Sequence, residues 1–260
     1  RSYEQQKEMM EEFIRAAVRR YPTIDGWTLN EPVDANALGW TREQIYDLFV
    51  SAAEWIHASR PDAQVMLNLV PVSNDWSGLH YDPHQVLDDL LALGMDVDII
   101  GIEFYQVFFE ASPPGSYPTL SQIADVLDPF RQYQLPIIFS EVGVPARVDG
   151  QDKSQEQADW LEAFFRFAHD DPAVIGAVWY FVLDDPGFSP YYGIADPGYS
   201  LRPSGERLLS LAEEWNPSSG VDLAGRDYID LAPGEYDVIL GQQVYRVSIV
   251  EGQLSVAPSD

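Results

Sequence analysis

The sequence predicts an α/β protein with a parallel sheet. Two observations lead there. Strand and helix patterns alternate along residues 3–215, giving five βα units preceded by one helix. The strand segments are nearly continuous apolar runs, as strands buried on both faces are.

The elements follow in order. Residues 3–20 line Met9, Met10, Phe13, Ile14, Ala17 and Val18 along one helical stripe, with Ser2 and Gln5 as a capping pair. Residues 25–31, Asp-Gly-Trp-Thr-Leu-Asn-Glu, read as a strand closed by Pro32. Thr41 caps a helix to about Ser59, ahead of Pro61, and residues 64–69 form the next strand. A helix over 83–94 ends at Gly94, and residues 97–105 form a buried strand. A helix over 119–133, a strand over 136–141, a helix over 154–169, a strand over 174–182 and a helix over 203–215 complete the series.

From about Ser218 the character changes. Pro-Ser-Ser-Gly reads as a linker, and the segments starting at Tyr236 and Val244 alternate with period two around a turn, with Leu254 and Val256 as a third strand. Residues 1–217 are therefore expected to form the main domain and 218–260 a small β-rich C-terminal extension whose role is packing.

Charge narrows the partners. The chain carries 42 Asp and Glu against 15 Lys and Arg, a formal net charge of −27. Such a field repels nucleic acid and anionic membranes and tolerates a neutral ligand such as a sugar without uronic acids. It also suits a salty or extracellular setting, and an extracellular location is expected. There is no cysteine, so neither disulfides nor thiolate metal sites are available. No apolar run reaches the 18 or so residues of a spanning helix. The polar N-terminus, Arg1-Ser2-Tyr3-Glu4, does not read as a secretion signal.

In a parallel α/β sheet the chemistry lies at the C-terminal strand ends. Asn30-Glu31-Pro32 closes the first strand, Tyr105 the third and Ser140-Glu141 the fourth. Trp179 lies in the fifth, ahead of Asp184, Asp185 and a loop with Phe188, Tyr191, Tyr192 and Tyr199. Two carboxyls held on opposite walls, roughly 5 Å apart, are what a retaining glycosidase needs, one as nucleophile and the other as acid and then base. Asn30 suits a hydrogen bond to a sugar 2-hydroxyl, and Trp179 suits a flat floor for a sugar ring. Either glutamate alone reads first as a helix N-cap neighbour or a surface salt-bridge partner; the set is what points to catalysis.

At these residues the chain resembles the clan A (β/α)8 glycoside hydrolases, a TIM-barrel clan in which the acid/base Glu follows an Asn at the end of strand four and the nucleophile ends strand seven. Thr-Leu-Asn30-Glu31-Pro and Ile-Phe-Ser-Glu141-Val-Gly look like those two sites. Spacing is closest to the family 10 xylanases. Met66-Leu-Asn68 is similar to their fifth strand, Ile100-Gly-Ile-Glu103-Phe-Tyr105 to their Ile-Gly-Leu-Gln-Ser-His segment, and Val178-Trp179 to strand eight. Tyr192-Gly-Ile-Ala-Asp-Pro-Gly-Tyr-Ser-Leu-Arg202-Pro203 resembles their closing segment. The resemblance implies a retaining enzyme on β-linked polysaccharide, with Glu31 as acid/base and Glu141 as nucleophile. Tyr105 would hold Glu141. Asn30, Tyr105, Trp179, Asn68, Trp76 and Glu103 would bind substrate, and no cofactor or metal would be needed.

Two positions depart from family 10: Tyr105 stands where it has His, and Gly143 where it has the Asp that orients that His. A tyrosine hydroxyl needs no orienting carboxylate, so the exchanges are mutually consistent. By the same resemblance only strands four to eight are represented. Another chain or segment is expected to supply the first three, and the 260 residues alone are not expected to be an active soluble monomer. Two other readings stand beside this one: a non-catalytic glycan-binding barrel or partner-completing subunit, and an open α/β sheet with no sugar role. His80 and His84 with Asp75 and Asp82 invite a metal reading, though Pro83 separates the histidines. Asp75-Trp76-Ser77 and Trp40 are candidate sugar contacts or loop packing, and Glu103 is either a substrate contact or a satisfied core group.

Overall fold

Side-chain caps start four of the helices. Ser2, Thr41 and Thr119 each form a reciprocal capping box, opening α1 (Tyr3–Arg20), α2 (Arg42–Ser59) and α4 (Leu120–Leu127). Asp82 accepts the His84 and Gln85 backbone N–H groups at 3.0 Å to start α3 (Pro83–Ala92), where Pro83 sits in the first turn and needs no N–H partner. α5 (Ser154–Asp170) and α6 (Pro203–Trp215) complete the helices of the computed structural model. It describes residues 1–30, 39–73, 80–106, 116–184, 191–215, 234–240, 243–250 and 253–258. Glu31 and Trp76 lie outside these, as do Asp75, Ser77, Asp185 and Phe188.

The helix expected over 119–133 divides. After α4 the chain tightens into a 3-10 turn, Asp128–Tyr133, because Pro129 has no N–H for the α-helical ladder. Gln134, with φ of 55°, ends it.

The strands are β1 (Gly26–Leu29), β2 (Gln64–Leu69), β3 (Ile99–Tyr105), β4 (Ile137–Gly143) and β7 (Val174–Trp179). They form one parallel sheet in the order β1-β2-β3-β4-β7, as the alternating pattern predicts. A short hairpin, β5 (Arg147–Val148) and β6 (Gln151–Asp152), turns through Asp149 and Gly150 at φ of 51° and 78°. Asp-Gly is the dipeptide such a turn favours.

The sheet has two distinct faces. On one, Phe104 and Phe139 pack with Trp160 and Phe164 of α5 through ring contacts of 4.9–6.3 Å. Val65, Leu67, Ile100 and Ile102 are fully buried along the same strands. The other face carries Met66, Asn68, Gly101, Glu103 and Tyr105, and the site is built there. Gly101 pairs with Asn68, and a Cβ at Gly101 would lie 2.6 Å from the Asn68 Oδ1, so only glycine leaves room for that amide.

The chain divides into two compact units, Arg1–Leu208 and Leu209–Asp260, the division falling within α6. The second contains an antiparallel three-stranded sheet in the order β10-β9-β8, from β8 (Gly234–Leu240), β9 (Gln243–Val250) and β10 (Gln253–Pro258). Among the described residues no helix is long and apolar enough to cross a membrane. Nor is any group of three or more His, Asp or Glu arranged to hold a metal ion. His84 instead lays its ring against Phe130 at 4.3 Å.

Candidate active site

The candidate residues sit at the C-terminal ends of adjacent strands. Asn30 directly follows β1, Asn68 ends β2, Glu103 and Tyr105 end β3, and Ser140 and Glu141 end β4. Parallel pairing brings them side by side: Asn68 lies opposite Gly101, Glu103 opposite Glu141, and Tyr105 opposite Gly143.

A bulge aims Glu141. Between β3 and β4 the partners run Ile102 with Phe139 and then Glu103 with Glu141, leaving Ser140 as an extra residue. The same slip recurs on the other side of β4, where Phe139 pairs with Ala177 and Val142 with Trp179. In a regular strand Glu141 would share the helix-covered face of Phe139. The bulge turns Ser140 and Glu141 to the polar face together and returns Val142 to the core.

There Glu141 meets Tyr105, whose hydroxyl donates to Oε2 at 2.7 Å. Burial, the hydrogen bond to Glu141 and the nearby charges of Glu141 and Glu103 push the Tyr105 hydroxyl far above its ordinary range, so it remains a neutral donor. The ring is enclosed by Tyr180, Phe181 and Tyr192, with centroids 6.1–6.3 Å away. Gly143 makes this approach possible. A Cβ there would lie 2.9 Å from Tyr192 Cδ1 and 3.2 Å from the Tyr105 ring, so a larger side chain has no room at this place.

The second half of the site is a polar chain centred on Asn68. Its Nδ2 donates to Asn30 Oδ1 at 2.7 Å and to Glu103 Oε1 at 2.8 Å, while the Ser140 hydroxyl donates to Asn68 Oδ1. Asn68 is 1% exposed and Glu103 4%. With its oxygen accepting from Asn68, Asn30 turns its NH2, a donor, away from that partner.

The remaining expectations fall elsewhere. Trp179 is 6% exposed, donates its indole N–H to the Tyr192 carbonyl at 3.1 Å and stands edge-on to Trp160 of α5, so its contacts are on the covered face. Trp40 is buried edge-on against Tyr3. Asp184 is tied into the closing loop. Burial pushes its carboxyl up, but the Arg202 guanidinium and the Gly193 N–H outweigh that and hold it below the usual carboxylate range. Ser140 and Tyr192 have no role assigned from the sequence, yet both make contacts in the site. The position of Ser140 just before Glu141, matching Asn30 before Glu31, was the available signal for the first.

No protein-family model matches the chain, and no curated protein matches it. Its structure is similar to xylanase 10B from Thermotoga petrophila RKU-1, in complex with xylobiose, at a TM-score of 0.60 and 19% identity, over 83% of this chain and 68% of that one. The fold is of the (β/α)8 barrel type, over five of its strands. Native xylanase 10B from Thermotoga maritima is similar at a TM-score of 0.59 and 20% identity, over 83% and 68% of the two chains. A GH10 structure from Paenibacillus barcinonensis is similar at 0.60 and 17%, over 88% and 71%.

Proposed function

We propose that this chain is the catalytic part of a retaining glycoside hydrolase that cleaves β-glycosidic bonds in a xylan-like polysaccharide. The observation that carries the reading is the hydrogen bond from half-buried, neutral Tyr105 to Glu141, formed where a bulge turns Glu141 to the strand-end face that Asn30 also borders. A nucleophilic carboxylate needs such a donor on one oxygen to fix it while the other attacks.

In the first step the Glu141 carboxylate attacks the anomeric carbon. The bond to the leaving oxygen breaks, and Glu31, one residue beyond Asn30, gives that oxygen its proton. In the second step Glu31 takes a proton from water, whose oxygen attacks the anomeric carbon and displaces Glu141, so configuration is retained. On this reading Asn30 hydrogen-bonds the sugar 2-hydroxyl. Xylobiose bound in a similar structure supports xylo-oligosaccharide as the substrate class. The net charge of −27 suits a neutral glycan and an extracellular setting. The remaining barrel strands come, on this reading, from another segment or chain that covers β1 and β7.

Glu141→Gln tests the assignment. Release of reducing sugar from xylan is expected to fall below one part in about a thousand of wild type, since removing a covalent nucleophile removes the pathway. The melting temperature should be retained. Undiminished turnover in a folded Glu141→Gln protein overturns the reading.

A further inference from the structure

The residues directly before the two candidate glutamates in sequence bond the same side chain. Asn30 precedes Glu31 and bonds Asn68; Ser140 precedes Glu141 and bonds Asn68. Both N–H bonds of the Asn68 amide are spent, one on Asn30 and one on Glu103, and its oxygen accepts from the bulged Ser140. An amide has two N–H donors, so none is left for a sugar. At 1% exposure Asn68 has no surface to offer one either.

We propose that Asn68 is a positioning residue that sets the acid/base and the nucleophile together, and that buried Glu103 acts through it by fixing which way its amide points. An amide fits its cavity equally well in two orientations. Glu103 on β3 accepts and never donates when ionised, so the Asn68 nitrogen must lie on its side and the oxygen must face Ser140. The orientation then propagates. The Asn68 oxygen anchors the extra residue of β4, and the second N–H anchors Asn30 beyond β1. Four adjacent strand ends become one rigid unit, and the spacing of two carboxyls on separate strands depends on a single amide. The proposal gives Asn68 and Glu103, both expected from sequence to touch substrate, a role behind the groups that do.

This rests on the glycosidase reading, and the test separates the two. In the full-length protein, kcat and KM are measured on phenyl β-xylobioside, whose poor leaving group requires both carboxyls. Covalent labelling is measured with a 2,4-dinitrophenyl 2-deoxy-2-fluoro-β-xylobioside, whose leaving group departs without acid assistance and which therefore reads Glu141 alone. Asn68→Ala is expected to lower kcat about 100-fold, the scale of a 1 Å misplacement, with KM within about two-fold, because ground-state binding is untouched. Labelling slows as well. Ser140→Ala slows labelling, and the Asn68→Ala/Ser140→Ala double variant is labelled no more slowly than Asn68→Ala, because both cut one tether. Glu103→Leu lowers kcat, and so does Glu103→Gln, whose amide can donate as well as accept and so no longer fixes which way Asn68 points.

A raised KM with kcat intact in Asn68→Ala makes Asn68 a substrate contact and overturns the proposal. Additive losses in the double variant, or Glu103→Gln with kcat undiminished, do the same. If Asn68→Ala does not fold, Ser140→Ala and the Glu103 pair decide. A wild-type protein that is neither active nor labelled overturns the glycosidase reading and this inference with it. Wild-type labelling matched by Asn68→Ala overturns this inference alone.

Discussion

β3 and β7 are nearly the same kind of sequence in the same sheet. Ile99-Ile-Gly-Ile lies in one and Val174-Ile-Gly-Ala-Val in the other, and each places a glycine third and apolar residues around it. In β3 every residue from Ile99 to Phe104 is buried. In β7 Ile175 is 58% exposed and Val178 50%. Composition does not separate them; place in the sheet does. β3 has a strand on each side and α5 rings over Phe104, while among the described residues β7 has β4 on one side only. An apolar strand of this kind is written for cover on both faces, which β7 has on one, and that agrees with the proposal that further strands complete the barrel.

The contrast gives three expectations, in falling order of size. Phe104→Ala empties a fully buried position ringed by Phe139, Trp160 and Phe164, and should cost about 3–5 kcal/mol in urea unfolding. Gly143→Ala puts a methyl group against Tyr192 and Tyr105 and should cost about 1–3 kcal/mol, with slower turnover as Tyr105 shifts from Glu141. Ile175→Thr on the edge strand should change stability by no more than about 0.5 kcal/mol. A loss at Ile175 as large as that at Phe104 would erase the distinction between middle and edge, and would mean that β7 is covered in solution.

Strand order and type were readable because apolar runs alternating with capped helices leave few arrangements. Ser2 and Thr41 announced two helix starts by their side chains alone. The 3-10 turn was signalled by Pro129 and the small hairpin by Asp149-Gly150, local cues that a search for longer elements passes over. Of the site, Tyr105 beside Glu141 followed from two strand ends and a resemblance. The role of Asn68 did not, because it depends on which residue of β2 faces which residue of β3 and β4, and register is set by the whole sheet. Trp179 illustrates the limit: its number places it near a strand end, but the slip in β4 pairs it with Val142 on the covered face.

That slip also has a consequence for how β4 tolerates change. A strand is a parity code, odd positions to one side and even to the other, and Ser140 flips the parity once. Upstream of it a residue belongs to the core if its number is odd, as Ile137 and Phe139 do; downstream the even number belongs, as Val142 does. Substitutions leave the code intact, but a deletion acts according to the residue removed. Loss of Ile138 throws Ile137 or Phe139 onto the polar side, whereas loss of Ser140 restores regular alternation with Phe139, Glu141 and Val142 on their present sides and gives up only the tether to Asn68.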